Sequence, residues 1–341
     1  MGYATFQAIR ILISAIAGFV VALGITPLVT KLVTRLEFKK QIRGSDATPV
    51  FAKLHKKKEG TPTAGGIIIW GTALILGVVF FSLPFFNFID RAQTYLPLAS
   101  FFIAAIVGLV DDILGILRRG PNGGGIGIRQ KLFVYFTISL VGALWFYYRL
   151  GWDILNIPFW QNSNMGWWYV PFFMFIIIAS AFSVNETDGL DGLAGGVMLF
   201  AFAALTVIAF TLGRYHLAAF NAVVVGALLA FLWFNIYPAR FFMGDTGSMA
   251  LGITLGVTAM LTNTALLLPF FAIIPVIESL SVIIQLTSKK LRGKKIFRST
   301  PIHHHFEAIG WPESQITMRF WIISAVFSIM GLVVFFLNRF L

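Results

Sequence analysis

The stretch ILISAIAGFVVALGITPLV, residues 11–29, contains no charged side chain. A helix needs about 20 apolar residues to cross the hydrocarbon core of a bilayer, so this stretch predicts a membrane-spanning helix. Its flanks do not resemble the cleavage region of a signal peptide, and we therefore expect it to be a retained anchor.

The rest of the chain has the same apolar character. Of its 341 residues, 58% are hydrophobic and 12% are charged, and its mean hydropathy is +0.84. Soluble domains carry about 25% charged residues, so this composition excludes an ordinary soluble enzyme and a disordered protein. We predict an all-α polytopic membrane protein that forms one integral-membrane domain over residues 1–341. About ten transmembrane helices are predicted, at residues 9–33, 64–86, 95–110, 132–149, 169–184, 194–213, 217–234, 248–261, 264–287 and 319–337. Pro269 and Pro275 lie inside the ninth of these spans and predict a kink.

Basic residues are distributed unevenly between the two predicted sides. The loops after spans 1, 3, 5, 7 and 9, with their flanks, hold 21 of the 26 lysines and arginines. By the positive-inside rule these loops are cytoplasmic and both termini lie outside. The net charge of +12 then reflects topology and an anionic substrate, and we expect no nucleic-acid partner. Cysteine is absent, which excludes disulfides, thiolate zinc sites and a cysteine nucleophile.

Two motifs on the predicted cytoplasmic side are rich in carboxylates. Asp111 and Asp112 end the third span, and adjacent carboxylates repel each other unless water or a cation compensates their charge. Asn185, Asp188 and Asp191 are spaced by three in NETDGLDGLAGG (185–196), which places them on one face if the segment is helical. The simpler alternatives are solvated interfacial acids and a turn that caps span 6. Both motifs also fit magnesium and phosphate chemistry, because Mg²⁺ prefers oxygen ligands and shares them with substrate phosphates.

The motif FFMGDTGSMALG (241–252) leads into the eighth span. Gly244 and Asp245 predict a tight turn before a helix, and the N-terminus of a helix favours anions such as phosphates. The simpler alternative is a plain N-cap turn. Asp-Thr-Gly is also the signature of aspartic proteases, but those enzymes need two such aspartates and this chain has one such sequence.

Histidines and a lysine complete the set of motifs. Three consecutive histidines on a helix point about 100° apart, so His303, His304 and His305 in STPIHHHFE (299–307) cannot all bind one metal ion. They belong either to a solvated loop or to a site where imidazoles neutralise phosphate and carry protons. Lys58 precedes GTPTAGG (60–66). It belongs either to a basic loop that faces the membrane or to a site where its ammonium acts as a point charge for a phosphate group.

All five motifs lie on the same predicted side of the membrane. They combine carboxylates, amides, lysines and histidines without a cysteine nucleophile or a Ser-His-Asp set. This inventory predicts magnesium-dependent phosphoryl transfer to a membrane-borne acceptor, in an active site on the cytoplasmic face. A transporter is the alternative from another class. It would place acids near the bilayer midplane in several spans, whereas only Glu278 lies well inside one here.

These blocks also carry a resemblance to a known family. GTPTAGG, VGLVDDILG, NETDGLDGLAGG, FNIYPARFFMGDTGSMALG and STPIHHHFE, with the GW and RFW that follow, resemble the phospho-N-acetylmuramoyl-pentapeptide transferases. These bacterial enzymes make the first lipid intermediate of peptidoglycan, and the length and ten-span pattern of the chain resemble theirs. The nearer alternative is a polyprenyl-phosphate N-acetylhexosamine-1-phosphate transferase, which shares the aspartate motifs but has a differently composed histidine motif.

The resemblance implies a reaction and a set of residues. UDP-N-acetylmuramoyl-pentapeptide and undecaprenyl phosphate would react at the bacterial cytoplasmic membrane and release UMP, with Mg²⁺ as cofactor and a homodimer among membrane lipids as the assembly. The implied metal ligands are Asp245 and Asn185. The implied catalytic residues are Asp111, Asp112, Asp245, His303, His304 and His305, with the division of roles between Asp111 and Asp112 left open. The implied substrate-binding residues are Lys58, Lys131, Asn185, Asp188, Asp191, Asn235, Phe242 and Gly244.

Three positions depart from the usual pattern of the family. Ala64 stands where methionine is usual, Gly115 where lysine is usual and Glu186 where leucine is usual. Gly115 leaves the role of that lysine unfilled, and Arg118 and Arg119 are candidates to supply the charge. Glu186 adds a carboxylate beside the expected nucleotide site.

Overall fold

The structure is a computed structural model that describes residues 2–38, 58, 60–90, 93–120, 124–160 and 162–340. Its architecture is all-α, as the apolar stretches of the sequence predict. The helices are α1 (Tyr3–Arg35), α2 (Ile67–Phe81), α3 (Tyr95–Ile116), α4 (Ile128–Leu144), α5 (Tyr169–Thr187), α6 (Leu193–Thr211), α7 (Tyr215–Asn235), α8 (Asp245–Leu261), α9 (Leu268–Phe271), α10 (Ile273–Arg292), α11 (Ile302–Ala308) and α12 (Glu313–Phe340).

A helix occupies each of the ten segments predicted to span the membrane. Within the described residues, seven helices are long and apolar enough to cross a bilayer, and the bent pair Ala265–Phe271 and Ile273–Arg292 would make an eighth. Helix α2 has only 15 residues and α8 has 17. The prediction of a polytopic all-α membrane protein is therefore confirmed, while the count of ten spans and the external position of both termini stay predictions.

The ninth predicted span is broken, as its two prolines predict. The segments before and after Ala272 meet at an angle of 91°. Pro275 lies in the first turn of α10, where the missing N–H of a proline is tolerated because no helical partner precedes it. Continuing α9 through this proline would cost a helical hydrogen bond and cause a clash, so the chain turns instead.

Helix α8 is the central element of the bundle. Every residue after Asp245 in this helix is buried, because α3 and α5 pack along it. Other helices therefore surround α8, which carries Thr254 and Thr258 among its apolar residues. Although α8 is short, the surrounding protein leaves little of its backbone exposed to lipid. Around this centre, α1 packs along α7, and α6 packs against α7 and α12.

The segment between α4 and α5 contains two short antiparallel strands, β1 (Ile154–Leu155) and β2 (Ser163–Asn164), with Ile154 opposite Asn164. A turn of π-helix, Trp145–Arg149, extends α4 toward them. They lie at the opposite end of α4 and α5 from the candidate site described next.

Candidate active site

An acidic cluster joins α3, α4 and α8. The Lys131 ammonium lies 2.5 Å from Asp111 Oδ2 and also forms an ion pair with Asp245 Oδ2. The other oxygen of Asp111 accepts a hydrogen bond from the backbone N–H of Ile126. One ammonium thus bridges two carboxylates from different helices, which offsets the repulsion that adjacent acids would otherwise cause.

Asp112 binds the first turn of α8. Its two carboxylate oxygens accept the backbone N–H groups of Asp245 and Thr246, each at 3.1 Å. The predicted turn is present, since Gly244 precedes the helix with a φ of 75°. Close packing holds the pair in place, because a β-carbon at Gly108 would collide with the backbone carbonyl of Asp245. Asp112 therefore fixes the position of Asp245.

Asn185 completes the cluster from α5. Its Nδ2 group donates to Asp245 Oδ1 at 2.9 Å and to Ser248 Oγ at 3.0 Å. The equal spacing with Asp188 and Asp191 does not produce a common helical face, because α5 ends at Thr187 and the chain turns before α6.

The turn sends the three polar residues in different directions. Asp188 caps the end of α5 and is half-buried, whereas Asp191 is buried in a second cluster. Gly192 makes the turn possible with a φ of 74°, a conformation that favours glycine. The segment 188–192 is thus a loop between two helices.

The second cluster contains Lys58, Asp191 and Glu313. The Lys58 ammonium lies 2.6 Å from Asp191 Oδ1 and forms an ion pair with Glu313. It also lies 5.7 Å from the centre of the Phe242 ring. The other oxygen of Asp191 accepts the backbone N–H of Ala239 at 3.0 Å. Lys56 and Lys57, which precede Lys58, lie outside the described residues.

One face of α12 holds the 188–192 loop. Glu313 accepts the backbone N–H of Asp191 at 2.7 Å, Thr317 donates to the Asp191 carbonyl at 3.1 Å, and Trp321 donates to the Gly192 carbonyl at 3.0 Å. These three residues are spaced by four, so they lie along one side of a helix. The spacing is visible in the sequence, but only the folded chain reveals what they bind.

Backbone pairing connects the two clusters. Gly65 donates to the Phe242 carbonyl and Phe242 donates to the Pro62 carbonyl, both at 2.8 Å. Asn235, which is buried, accepts the Gly192 N–H at 3.0 Å and donates to the Phe241 carbonyl at 2.8 Å. Both polar atoms of Asn235 thus hold the loops that carry Asp191 and Phe242.

The histidine run forms α11, and its first member is buried. His303 Nδ1 lies 3.0 Å from Glu278 Oε2 in α10, and both side chains are at most 1% exposed. Burial disfavours the imidazolium, but the carboxylate of Glu278 outweighs this effect and raises the pKa of His303 above its usual value. A β-carbon at Gly189 would collide with His303 Nε2, so this imidazole packs directly against the 188–192 loop.

The other two histidines have different surroundings. His304 is also buried, and its Nδ1 lies 2.6 Å from Glu307. His305 is half-buried and its Nδ1 accepts the backbone N–H of Arg298 at 3.1 Å. The run is therefore not a solvated loop. The rings of His303 and His304 meet edge to face with their centroids 4.0 Å apart, while His305 turns toward Arg298.

Several residues at these clusters were not singled out as site residues from the sequence. Glu313 and Thr317 carry no motif of their own, and the buried Glu278 finds its partner in His303 rather than in an ion path. Glu186 acts electrostatically on His303 and on Tyr135 of α4. Gly115 has no side chain to place at the acidic cluster, where Lys131 supplies the ammonium.

The acidic cluster has the composition of a cation site. The ammonium of Lys131 already supplies a positive charge between the carboxylates of Asp111 and Asp245. Carboxylate oxygens, here from Asp111 and Asp245, are ligands of the type that Mg²⁺ prefers, whereas Asn185 turns its Nδ2 donor toward Asp245. Among the described residues, no group of three or more histidine, aspartate or glutamate side chains is arranged to hold a metal ion, so the metal role of Asp245 and Asn185 stays a prediction.

Comparisons with known proteins identify the family of the chain. The family described as Glycosyl transferase family 4 matches residues 94–263, which include Asp111, Lys131, Asn185 and Asp245. The phospho-N-acetylmuramoyl-pentapeptide-transferase of Clostridium perfringens strain 13 is 41% identical over 320 residues, which is 93% of this chain and 96% of the relative. The chain belongs to the phospho-N-acetylmuramoyl-pentapeptide-transferase family.

More distant bacterial members of that family support the assignment. The transferase of Chloroflexus aurantiacus is 38% identical over 336 residues, covering 95% of this chain and 89% of the relative. That of Anoxybacillus flavithermus is 37% identical over 323 residues, covering 94% and 97%. With its long apolar helices, this family member is a multi-pass protein of the bacterial cytoplasmic membrane.

Proposed function

We propose that the protein transfers phospho-N-acetylmuramoyl-pentapeptide from UDP-N-acetylmuramoyl-pentapeptide to undecaprenyl phosphate. The lipid phosphate attacks the sugar-linked phosphorus, a new phosphate–phosphate bond forms, and UMP leaves. One observation carries this proposal: the acidic cluster on α3, α4 and α8 and the Lys58–Asp191 cluster are joined by the hydrogen bonds between Gly65, Phe242 and Pro62. The family to which the chain belongs supports the choice of substrates.

Asp111 is the residue that we assign to the lipid phosphate. Both oxygens of Asp112 accept backbone N–H groups of α8, so Asp112 serves to position Asp245. One oxygen of Asp111 instead faces the ammonium group of Lys131. When Lys131 turns toward a phosphate, that oxygen becomes free to orient the attacking group or to take its proton.

Asp245 and Asn185 are the residues that would hold Mg²⁺, with Asp111 facing them across the Lys131 ammonium. Bound there, the metal would neutralise the diphosphate and polarise its oxygens. The residues themselves bring the two phosphates into line and exclude competing orientations, which is the main source of catalysis in phosphoryl transfer.

The uridine end of the substrate would meet the second cluster. Lys58 supplies a positive charge beside the Phe242 ring, and Asp188 lies on the adjoining loop. Asp191 and Asn235 hold the loops of this cluster through hydrogen bonds to backbone groups, whereas Gly244 lies beside Asp112 at the acidic cluster.

The histidine helix would close the site from the side of the sugar and peptide. His303 packs against Gly189 on the 188–192 loop, and His304 and His305 follow on the same short helix. His305, which turns toward Arg298, would meet a different part of the substrate from the contacting rings of His303 and His304. A second copy of the chain and the surrounding membrane lipids are the remaining partners that we expect.

The decisive experiment uses the purified full chain with UDP-N-acetylmuramoyl-pentapeptide, undecaprenyl phosphate and Mg²⁺, and measures release of UMP. We expect release that depends on all three components. The same assay with UDP-N-acetylglucosamine as the donor tests the hexosamine-1-phosphate alternative. UMP release with that donor and none with the pentapeptide donor would overturn the proposal.

A further inference from the structure

Tyr135 of α4 carries a polar group that the fold leaves unsatisfied. The residue is 1% exposed, and its hydroxyl is buried without a hydrogen-bond partner among the described residues. Most buried hydroxyl groups in proteins are hydrogen-bonded, because an unpaired one loses its bonds to water without replacement. Such a group therefore calls for an explanation.

The position of this residue connects it to the acidic cluster. Tyr135 follows Lys131 by four residues on α4, so the two side chains lie on one face of the helix. The carboxylates of Asp245, Asp111 and Glu186 each act electrostatically on the phenol. Despite these neighbours, the hydroxyl donates to none of them.

The chemistry of a phenol limits what could satisfy it. The group is neutral, and it can donate one hydrogen bond to an anionic oxygen without adding charge to a cluster that already holds Lys131. The acceptors that the reaction would bring to this cluster are phosphoryl oxygens. Because the Tyr135 hydroxyl has no partner before the substrate arrives, it can donate to a phosphoryl oxygen without breaking an existing hydrogen bond.

We propose that Tyr135 is a substrate-contact residue that donates a hydrogen bond to a phosphoryl oxygen at the acidic cluster. This inference rests on the proposed function. The oxygen belongs either to the lipid phosphate or to the diphosphate of the nucleotide, which have the same chemistry and which separate kinetic measurements distinguish.

The chain provides a matched control in Tyr169. This residue at the start of α5 is also fully buried, and its hydroxyl likewise has no partner within the described residues. Its charged neighbours are Arg214 and Asp153, which belong to the opposite end of the bundle. If an unpaired phenol is only a feature of packing, Tyr135→Phe and Tyr169→Phe should behave alike.

The experiment compares both variants with the wild type in the UMP-release assay, varying each substrate in turn, and records thermal unfolding of each purified protein. We expect Tyr135→Phe to lower kcat/KM at least tenfold and to melt at the same temperature as the wild type or higher. Tyr169→Phe should keep activity within twofold.

The kinetics of Tyr135→Phe also identify the acceptor. A raised KM for undecaprenyl phosphate alone identifies the lipid phosphate as the acceptor, and a raised KM for the nucleotide alone identifies the diphosphate. A fall in kcat alone places the contact in the transition state.

Three results would overturn the inference. One is activity of Tyr135→Phe within twofold of the wild type for both substrates. Another is an equal loss in both variants. The third is a clear drop in the melting temperature of Tyr135→Phe, since that would reveal a partner within the fold. A wild-type protein that releases no UMP would instead overturn the proposed function and the inference together.

Discussion

His303 and Glu278 form a fully buried pair between α11 and α10, with 3.0 Å between the imidazole Nδ1 and the carboxylate Oε2. The backbone N–H of His303 approaches the same oxygen at 3.4 Å. The pair fastens the histidine helix to a helix predicted to lie in the membrane. Removing one partner of a buried ion pair costs about 3–5 kcal/mol, because the other charge remains without compensation.

This pair predicts how stability depends on pH. The raised pKa of His303 means that the folded protein holds the proton more tightly than the unfolded chain. The stabilisation is then fully present below the unfolded pKa of about 6.5 and is lost as the pH rises through the folded pKa. We expect the gap in melting temperature between the wild type and His303→Gln to be largest near pH 6 and to shrink toward pH 9. In a Glu278→Gln background, the gap should lose its pH dependence. A gap that grows with pH would contradict this assignment.

Single alanine substitutions in the histidine run should differ in their effects. We expect at least one of His303→Ala, His304→Ala and His305→Ala to lower turnover a hundredfold or more, which corresponds to about 3 kcal/mol. Half-exposed His305 is the variant whose folding should change least, so its kinetics give the cleanest measurement. Near-normal turnover in all three well-folded variants would remove the run from the active site.

Asp245→Asn should abolish turnover, because an amide cannot supply the negative charge that a divalent cation requires. UMP release measured across a range of Mg²⁺ concentrations tests this, and chelation of the wild type should cause the same loss reversibly. Ser248→Ala is a suitable control, because it removes another partner of Asn185 and leaves the carboxylates in place. Substantial turnover of Asp245→Asn at saturating Mg²⁺ would exclude Asp245 from the metal role.

Glu313→Gln should weaken binding of the nucleotide substrate. The substitution removes one of the two carboxylate charges that hold Lys58 while preserving the shape of the side chain. We expect KM for the nucleotide to rise about tenfold, roughly 1.4 kcal/mol, with kcat and the KM for undecaprenyl phosphate little changed. Glu313→Asp should recover part of the effect. An equal rise in both KM values would indicate a general disturbance of the fold.

Membrane topology can be tested with reporter fusions. Fusions after residues 58 and 295 should report the cytoplasm, and fusions after residues 91 and 214 should report the outside. An external signal at residue 295 would contradict the ten-span arrangement and would separate the histidine helix from the acidic cluster.

The sequence was sufficient to predict the helices, because every segment that spans a membrane must be long and apolar. Each long apolar stretch became a helix, and the prolines at 269 and 275 correctly predicted a bend. The sequence also identified most residues of the two clusters, since carboxylates, lysines and amides are conspicuous in so apolar a chain.

The sequence could not predict which residues pair when they are distant along the chain. Nothing in the local pattern pairs Glu278 with a histidine 25 residues away or Glu313 with Lys58, 255 residues away. The spacing of Asn185, Asp188 and Asp191 suggested a helical face, but glycines within the segment end the helix and direct the polar residues to separate clusters. Tyr135 looked like an ordinary apolar residue of a span until its neighbours were known.

The Lys131 ammonium affects how a cation could enter the acidic cluster. A group of buried carboxylates without a counterion would be destabilising, and Lys131 supplies that counterion within the chain. Any cation that enters between Asp111 and Asp245 must therefore displace a positive charge that is already there. Under the proposed function, loading would exchange one counterion for another, and the displaced lysine would be available to the anionic substrate.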